Sequence, residues 1–243
     1  MTGKVDFPYY NGEPVAISGG GWMIILASVV VAFGLLISIP PMTAPFVIIP
    51  AILFTGVPLA TLAWVTRGHH GALFRPFGLK ELALVIGFGL LTMVVSLAVG
   101  LVLAQFIEMT PNATAAELVA IGPVDLVFFL IGTFIQLIGE ELMTILPLLA
   151  VLWFCVQKLG LSRRWGLVIG VVVSTIWFAG VHLPTYNWNF LQCFGGIGAA
   201  RLVLTAAFLL TRNLWVCAGA HIVNDWTEFF LPALLGGLAQ PSP

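Results

Sequence analysis

The sequence has very little charge. Only 8% of its 243 residues are Asp, Glu, Lys or Arg, whereas 60% are hydrophobic. A soluble domain has about 25% charged and 45–50% apolar residues. The polar residues are therefore too few to cover a surface that faces water, which excludes an ordinary soluble globule and a disordered chain. The composition predicts a polytopic membrane protein.

Cysteine and basic residues are scarce as well. The three cysteines, Cys155, Cys193 and Cys217, have no paired spacing, and each lies in an apolar stretch. This pattern excludes a disulfide-stapled secreted domain and favours small core residues. The net charge is −1, so no basic surface for a nucleic acid is expected.

Seven apolar stretches are long enough to cross a bilayer, which takes about 20 residues. They must be helical, because lipid offers no partner to an unpaired backbone group and no barrel-like alternation is present. The sequence thus predicts an all-α transmembrane helix bundle with about seven spans, at 22–39, 44–65, 82–107, 124–157, 166–184, 191–211 and 214–238. We expect three regions: a polar N-terminal segment at 1–21, three spans within 22–123, and a core of the remaining spans at 124–238.

The basic residues predict the orientation of the bundle. With a cytoplasmic N-terminus, the inside segments hold all Lys and Arg residues except Arg201, namely Lys4, Arg67, Arg75, Lys80, Lys158, Arg163, Arg164 and Arg212. The outside loop 108–123 carries Glu108 and Glu117 and neither Lys nor Arg. The positive-inside rule then places the N-terminus in the cytoplasm and the C-terminus outside.

Several ionisable side chains lie inside the predicted spans. They are Glu140, Glu141, His182, Arg201, His221, Asp225 and Glu228. Each charged group near the middle of a bilayer costs at least about 2.5–3.5 kcal/mol on insertion scales, and such residues face the bundle interior or water. Polar contacts between membrane helices return only about 0.6–2 kcal/mol each. The set therefore favours a functional site over a network that only holds helices together.

The first group on one helix is the pair Glu140-Glu141. The two side chains diverge by about 100°, and Thr144 shares the face of Glu140. Adjacent acids in a poor dielectric disfavour double ionisation. One of them can stay protonated while the other serves as a base.

Two further groups lie on two other helices. Phe178 and His182 are four residues apart and share a face, as do His221 and Asp225, with Asn224 on the flank. An acid one turn from an imidazole can orient it and select its tautomer. Together with the glutamate pair, these groups supply a carboxylate base, an imidazole and polar partners for an oxyanion, which is what the activation of a water requires.

The same side chains leave the question of a metal open. Zinc binds His and Glu with one position free for water. The HExxH pattern of soluble zinc proteases is absent. Either no cofactor is required or a single divalent metal such as zinc is bound.

At these residues the chain resembles the CPBP family of intramembrane proteases. This Abi-like family includes the type II CAAX prenyl endopeptidase and bacterial relatives linked to bacteriocin immunity. Its motif order is EExxxR, FxxxH and then HxxxN or HxxxD, each on its own transmembrane helix. The matching stretches are Glu140-Glu141, Phe178 to His182 and His221 to Asp225, and the resemblance covers about residues 124–235.

The resemblance implies roles for the residues that match. Glu140 with His182 would activate the attacking water, and Glu141 would support that site. His221 and Asp225 would stabilise the tetrahedral oxyanion or orient the substrate carbonyl. The implied function is an intramembrane endopeptidase whose partners are the lipid bilayer, a membrane-embedded or lipid-attached peptide or protein substrate, and a membrane protein complex. The expected location is the bacterial inner membrane.

One departure from the family pattern affects this interpretation, because Ile145 stands where EExxxR has its Arg. Arg201 on another helix would supply the missing cation, although an ion pair of Arg201 with Asp225 or Glu228 on the next helix is the favoured alternative. A catalytically inactive membrane scaffold or assembly factor on the same fold is the second interpretation. A transporter is the third, but the repeats expected of many transporters are absent. We favour the active enzyme, because both glutamates and both histidines remain.

Depth along the helices is a further test. At 1.5 Å per residue, Glu140 lies about 27 Å from the inner end of its span, whereas His221 lies about 12 Å from Asn213. Straight upright helices would not bring the two side chains together. Either the fourth span is strongly tilted or the turn before Leu214 dips into the membrane. A separation of Glu140 and His221 well beyond about 10 Å would contradict the catalytic interpretation.

Overall fold

The computed structural model describes residues 6–40, 42–112, 114, 118 and 121–238, with side chains as far as residue 231. Lys4 and Glu117, which enter the orientation argument, lie outside the described residues. The described part contains α-helices and no strand. Its α-helices are α1 (Gly19–Ser38), α2 (Ile49–Val65), α3 (Leu79–Leu103), α4 (Pro123–Trp153), α5 (Arg163–Val181), α6 (Gly198–Thr211) and α7 (Leu214–Leu238).

Six helical stretches in the described part are long and apolar enough to cross a membrane. Each coincides with a predicted span, so the prediction of an all-α polytopic bundle is confirmed. The predicted span 214–238 forms α7 but is not among the six. Its polar residues, His221, Asn224, Asp225 and Glu228, reduce its mean hydropathy. The cytoplasmic placement of the N-terminus stays a prediction.

Three of the spans include helical turns of other kinds. A 3-10 turn, Phe46–Ile48, precedes α2. A π-helix, Phe154–Lys158, continues α4, and another, Gln192–Ile197, precedes α6. The fourth stretch is therefore 36 residues long. This corresponds to about 54 Å, well beyond the hydrocarbon thickness of about 30 Å.

The long helix α4 lies at the centre of the bundle and contacts α1, α2, α5 and α7. Its burial is uneven along its length. From Leu137 to Leu152 most side chains are buried, whereas 123–136 are partly or fully exposed. The glutamate pair lies where the exposed part of the helix passes into the buried part.

Close approach of neighbouring helices depends on two glycines. A Cβ added to Gly139 would lie 2.6 Å from side-chain atoms of Phe54 and Thr55, so only glycine lets α2 pack this closely on α4. A Cβ added to Gly89 of α3 would lie 2.6 Å from the side chain of Val223 on α7. Small residues at helix contacts are typical of membrane bundles, where close backbone packing replaces the hydrophobic driving force.

The N-terminal segment packs into the bundle, which its polar composition does not predict. Phe7, Tyr9 and Tyr10 are buried. The Phe7 ring lies 6.0 Å from the ring of Phe208 on α6, and the Tyr9 hydroxyl donates a hydrogen bond to the carbonyl of His69 at 2.8 Å. Residues 6–10 therefore cover one end of the helix bundle.

The turn between α6 and α7 is recessed beneath this cover. Asn213 is only 2% exposed and Leu214 is fully buried. The Asn213 side chain accepts a hydrogen bond from the Arg75 amide at 3.0 Å, and the Arg212 guanidinium lies 5.2 Å from the Phe7 ring. The start of α7 is therefore buried within the protein and not exposed at its surface.

Candidate active site

The register of α4 against α7 brings the motif residues together. The two helices run in opposite directions: the rings of Phe129 and Phe229 lie 6.0 Å apart, and Trp226 donates a hydrogen bond to Thr133 at 3.1 Å. About two turns further along both helices, the glutamate pair lies level with His221. The sites predicted on separate helices therefore meet in one place.

Three of these groups form a buried cluster, which we call the buried triad (Arg201, Glu141 and His221). The Arg201 guanidinium donates two parallel hydrogen bonds to the Glu141 carboxylate, at 2.6 and 2.8 Å. His221 Nδ1 lies 2.8 Å from Glu141 Oε1. Arg201 Nε also donates to the Thr205 hydroxyl at 3.2 Å. Arg201 and Glu141 are completely buried.

The partner of Arg201 corrects the favoured sequence prediction. Arg201 pairs with Glu141 on α4 and not with Asp225 or Glu228 on α7. Asp225 and Glu228 lie one and two helical turns beyond His221 on α7, whereas the Arg201 guanidinium contacts Glu141 at the level of His221. Position 145, where the family motif has its Arg, carries an Ile that is fully buried in the apolar core. The cation beside Glu141 therefore comes from α6.

The buried triad has the close, multiply hydrogen-bonded geometry that offsets the cost of burying an ion pair. Taking two charges out of water is expensive, and the cost is offset only by close geometry and additional hydrogen bonds. The Arg201 fork meets the carboxylate in the bidentate arrangement that gives the strongest such contacts. The guanidinium also lies 5.1 Å from the Phe178 ring. The triad is a fixed frame that holds the His221 ring.

The other motif residues form what we call the open set (Glu140, His182 and Asp225). Glu140 Oε2 lies 3.9 Å and Asp225 Oδ1 3.5 Å from His221 Nε2. The side chains of Glu140 and Asp225 are 12% and 21% exposed, whereas that of Glu141 is 0% exposed. The divergence predicted for the adjacent glutamates thus separates a buried acid from a partly exposed one. The distance from Glu140 to His221 is well within the limit set above.

His182 lies immediately after α5, where its ring is fixed by the preceding turn. Its Nδ1 is 2.7 Å from the Phe178 carbonyl oxygen. A carbonyl only accepts hydrogen bonds, so Nδ1 carries the proton and, in the neutral ring, Nε2 is left as an acceptor. The rings of His182 and His221 lie 4.6 and 6.1 Å from the Phe178 ring. Phe178 is therefore the common packing partner of the two histidines.

Two polar partners in the site were missed by the sequence analysis. Gln136 donates a hydrogen bond to Glu140 Oε1 at 3.0 Å, and Thr205 accepts from Arg201. Both lie four residues from the group that they contact, a spacing that places them on the same helix face. Asn224, expected on the flank, donates to Asp225 at 3.0 Å, and its Oδ1 is buried with no hydrogen-bond partner among the described residues.

The donor set does not fit a metal ion well. In the described part of the chain, no group of three or more His, Cys, Asp and Glu side chains is arranged to hold one. Both oxygens of Glu141 are engaged by Arg201, so this carboxylate is not available as a ligand. A zinc ion usually takes three or four protein ligands.

Comparison with protein families gives a match over the region that contains the site. Residues 122–227 match the model of the type II CAAX prenyl endopeptidase Rce1-like family. Comparison with curated proteins and with solved structures finds no match. The matched region begins just before α4, ends within α7 and includes every residue of the buried triad and the open set. The resemblance predicted from the three motifs is confirmed, and at the level of the family it supports a membrane endopeptidase.

Proposed function

We propose that this Rce1-like chain is an intramembrane endopeptidase that cleaves a membrane-embedded or lipid-attached peptide with a water activated by Glu140 and His182. The contrast between the two adjacent glutamates carries the proposal. Both oxygens of Glu141 are engaged by Arg201, whereas Glu140 remains partly exposed beside the His221 ring. A buried, fully paired acid suits a structural role, and a partly open one suits proton transfer.

In this mechanism Glu140 acts as the general base. It accepts a proton from the water as the water oxygen bonds to the carbonyl carbon of the scissile peptide. His182 Nε2 is free to accept a hydrogen bond from the same water, because the Phe178 carbonyl holds the proton on Nδ1. Gln136 holds the other oxygen of Glu140 and so orients the carboxylate.

His221 serves the oxyanion that forms on the carbonyl. Its Nδ1 side is held by Glu141, and its Nε2 side faces the open set. With one proton donated from Nδ1 to Glu141 and a second proton on Nε2, the ring would donate its Nε2–H to the negative oxygen of the tetrahedral intermediate. As the intermediate collapses, the C–N bond breaks and Glu140 returns its proton to the departing amine.

We assign Asp225 an orienting role. An ionised carboxylate has no proton to donate to an oxyanion. Asp225 instead accepts a hydrogen bond from Asn224 and lies beside His221 Nε2, where it can hold the imidazole in position before the substrate carbonyl arrives.

The inactive scaffold is the less favoured alternative. Its main support is the loss of the Arg at position 145. Arg201 supplies a cation to Glu141 from α6, so this departure does not leave the site without its positive charge. We also propose a metal-free mechanism, because Arg201 engages both oxygens of Glu141 and the described residues hold no group of three or more His, Cys, Asp and Glu side chains arranged for a metal ion.

Cleavage by the purified full-length protein in liposomes tests the proposal. A library of fluorogenic membrane-anchored peptides is incubated with the wild type, Glu140→Gln and His182→Ala, with and without a chelator. The proposal predicts that each substitution reduces cleavage by about 10²- to 10⁴-fold, the usual contribution of a general base. Glu108→Gln, the same chemical change at an exposed carboxylate outside the site, should cleave like the wild type.

Three outcomes contradict parts of the proposal. Cleavage that survives both site substitutions contradicts the site assignment. Cleavage lost with chelator in the wild type contradicts the metal-free mechanism. No cleavage of any peptide by a folded wild-type protein favours the scaffold.

A further inference from the structure

Three arginines meet at the end of the bundle on which the N-terminal segment packs. Arg75 comes from the loop between α2 and α3, Arg163 begins α5, and Arg212 directly follows α6. The guanidinium groups of Arg163 and Arg212 lie 5.1 and 5.2 Å from the Phe7 ring, and Arg75 donates a hydrogen bond to the Asp6 carbonyl at 3.5 Å. We call these three residues the arginine cluster.

The positive charge of the cluster is only partly neutralised. Asp6 pairs with Arg163. In the described part of the chain, Arg212 lies within ion-pair distance of no carboxylate, and its Nε is buried without a hydrogen-bond partner. Arginine stays protonated in proteins, and a buried donor on a charged group is costly to leave unsatisfied. A bound anion would supply the missing acceptor.

The placement of Arg212 is unfavourable in two further respects. Burial and the positive charge of Arg212 hold the pKa of Arg75 below its ordinary value, so the two guanidinium groups are close enough to repel each other. The backbone of Arg212 has a φ of 53°, in the left-handed region where glycine is the usual residue after a helix. A charged side chain is therefore held here against both charge repulsion and backbone preference.

A cavity of about 470 Å³ lies beside the cluster. Its lining includes Asp6, Phe7, Glu13, Phe74, Arg75 and Pro76. Pockets for small molecules typically measure about 300–1,000 Å³, so the cavity has room for a phosphate group and the glycerol attached to it. Of the two carboxylates in this lining, that of Asp6 is already paired with Arg163, and Glu13 is exposed.

Exposed apolar side chains around the cluster favour a lipid as the source of the phosphate. Phe77 and Leu79 follow Arg75 closely in the chain and are exposed. Trp215 is exposed as well, and its ring lies 4.9 Å from that of Phe74. Aromatic side chains of this kind are typical of the membrane interface. The positive-inside rule predicts that this end faces the cytoplasm, where the leaflet is rich in anionic lipids.

We propose that Arg75 and Arg212 bind the phosphate of an anionic phospholipid at this end of the bundle. Their planar guanidinium groups supply several N–H donors in the geometry that suits phosphate oxygens. The phosphate satisfies Arg212 Nε and separates the two positive charges, while the acyl chains lie against the exposed apolar side chains. The site shares no residue with the buried triad or the open set, so it does not depend on the proposed function.

Native mass spectrometry of the full-length protein in detergent tests this proposal, because the added mass identifies what is bound. The protein is titrated separately with phosphatidylglycerol, with zwitterionic phosphatidylcholine and with inorganic phosphate. The variants are Arg212→Asn and Arg75→Gln. Asparagine tolerates the left-handed region, so Arg212→Asn removes the guanidinium and keeps the backbone.

Arg67→Asn is the matched control. Arg67 also follows a helix at the same end, has a φ of 51° and is exposed. The substitution therefore removes the same charge from an equivalent backbone position outside the cluster. Circular dichroism and size-exclusion chromatography identify the variants that fold, and either cluster variant decides the question if the other does not fold.

The proposal predicts that the wild type binds phosphatidylglycerol at least tenfold more tightly than phosphatidylcholine. Arg212→Asn and Arg75→Gln should each weaken the binding of phosphatidylglycerol at least tenfold, and Arg67→Asn less than twofold. Equal losses for Arg212→Asn and Arg67→Asn overturn the proposal, because net charge alone would then attract the lipid. Inorganic phosphate bound as tightly as phosphatidylglycerol also overturns it, because the site would then take the free ion.

Discussion

The buried triad and the open set lie side by side and use the same chemical groups, carboxylates and imidazoles. They differ in how these groups are paired. Glu141 receives hydrogen bonds from Arg201 and lies against His221 with no exposure, whereas Glu140 has one hydrogen bond, from Gln136, and faces His221 at 3.9 Å. In the proposed mechanism, these adjacent residues of α4 therefore have different roles: Glu141 supports the site and Glu140 reacts.

The comparison teaches that the number of hydrogen-bond and ion-pair partners distinguishes the supporting glutamate from the proposed reactive one, whereas residue type does not. A buried charge that keeps all its partners is rigid, and removal of one partner leaves an uncompensated charge in a poor dielectric. Substitution of a partly exposed carboxylate with few partners costs the protein little stability, but such a carboxylate can exchange a proton. Substitutions in the triad should thus affect stability first, and substitutions in the open set should affect activity first.

The sharpest way to break this comparison is to remove the cation of the triad. Arg201→Leu leaves the Glu141 carboxylate buried without its partner, and we expect a loss of about 3–5 kcal/mol in the free energy of unfolding. Arg201→Lys is the matched control, because it keeps the charge and loses the fork, so its cost should be smaller. Unfolding in mixed detergent micelles measures both. Equal costs for the two variants would show that pairing with Glu141 is not what stabilises the triad.

The Thr205 hydroxyl gives a smaller test of the same frame. Thr205→Val removes the acceptor for Arg201 Nε, and we expect a loss of about 1.5–3 kcal/mol, the usual value for a hydrogen bond to a charged group. Thr92→Val is the control: Thr92 is also fully buried, but its hydroxyl bonds only to a carbonyl of its own helix. Thermal unfolding should separate the two variants. A loss at Thr92→Val as large as at Thr205→Val would contradict this account.

The packing that positions the glutamate pair can be tested at Gly139. A Cβ there would collide with Phe54 and Thr55 at 2.6 Å, and overpacking of this kind typically costs about 1–3 kcal/mol. Gly87→Ala is the control, because a Cβ at Gly87 meets nothing within 4 Å. Unfolding in detergent should show a loss only for Gly139→Ala. A stable Gly139→Ala variant would mean that α2 does not press on α4 at this level.

The smallest expected effect lies far from the site, at the ion pair of Asp6 and Arg163, whose side chains are 31% and 41% exposed. Burial tends to raise the pKa of Asp6, but hydrogen bonds from Arg163 and Tyr10 outweigh it and hold the pKa below its ordinary value. The pair therefore stabilises the protein above the ordinary Asp pKa, and the contribution is lost as the pH falls through the lowered value. Asp6→Asn should cost at most about 1 kcal/mol at neutral pH.

The pH dependence provides the check on this prediction. The difference in melting temperature between the wild type and Asp6→Asn should shrink toward zero as the pH is lowered from neutral to well below about 4. A difference that is unchanged or larger in acid would show that Asp6 acts by something other than its charge.

Local patterns were sufficient to predict much of the molecule. Apolar runs predicted the helices, because each run in lipid must satisfy the hydrogen bonds of its own backbone. The i to i+4 spacing of His221 and Asp225 predicted their shared helix face. Arg201 stood out in the sequence as the single Lys or Arg within a span. These features depend on one helix at a time, so the sequence is enough to identify them.

Features that depend on how helices are rotated and docked were not predictable. The periodicity of α6 does not say whether Arg201 points to α4 or to α7, so the favoured pairing with Asp225 or Glu228 was wrong. The N-terminal segment at 1–21 is polar overall, but it contains Phe7, Tyr9 and Tyr10. Their burial depends on contacts with distant residues, such as Phe208 and the carbonyl of His69, which the segment's own sequence does not reveal. The contact of Gly139 with Phe54 likewise depends on the register of α2 against α4.

The central claim is that Glu140 reacts and Glu141 supports, and one paired measurement tests it most directly. Glu140→Gln and Glu141→Gln are the same chemical change at adjacent residues, and each is assayed for peptide cleavage and for the free energy of unfolding in one detergent. The account predicts that Glu140→Gln reduces cleavage by about 10²- to 10⁴-fold with stability close to the wild type. It predicts that Glu141→Gln costs about 3–5 kcal/mol, because Arg201 loses its charged partner. Full cleavage by Glu140→Gln, or a stable Glu141→Gln, would contradict the account.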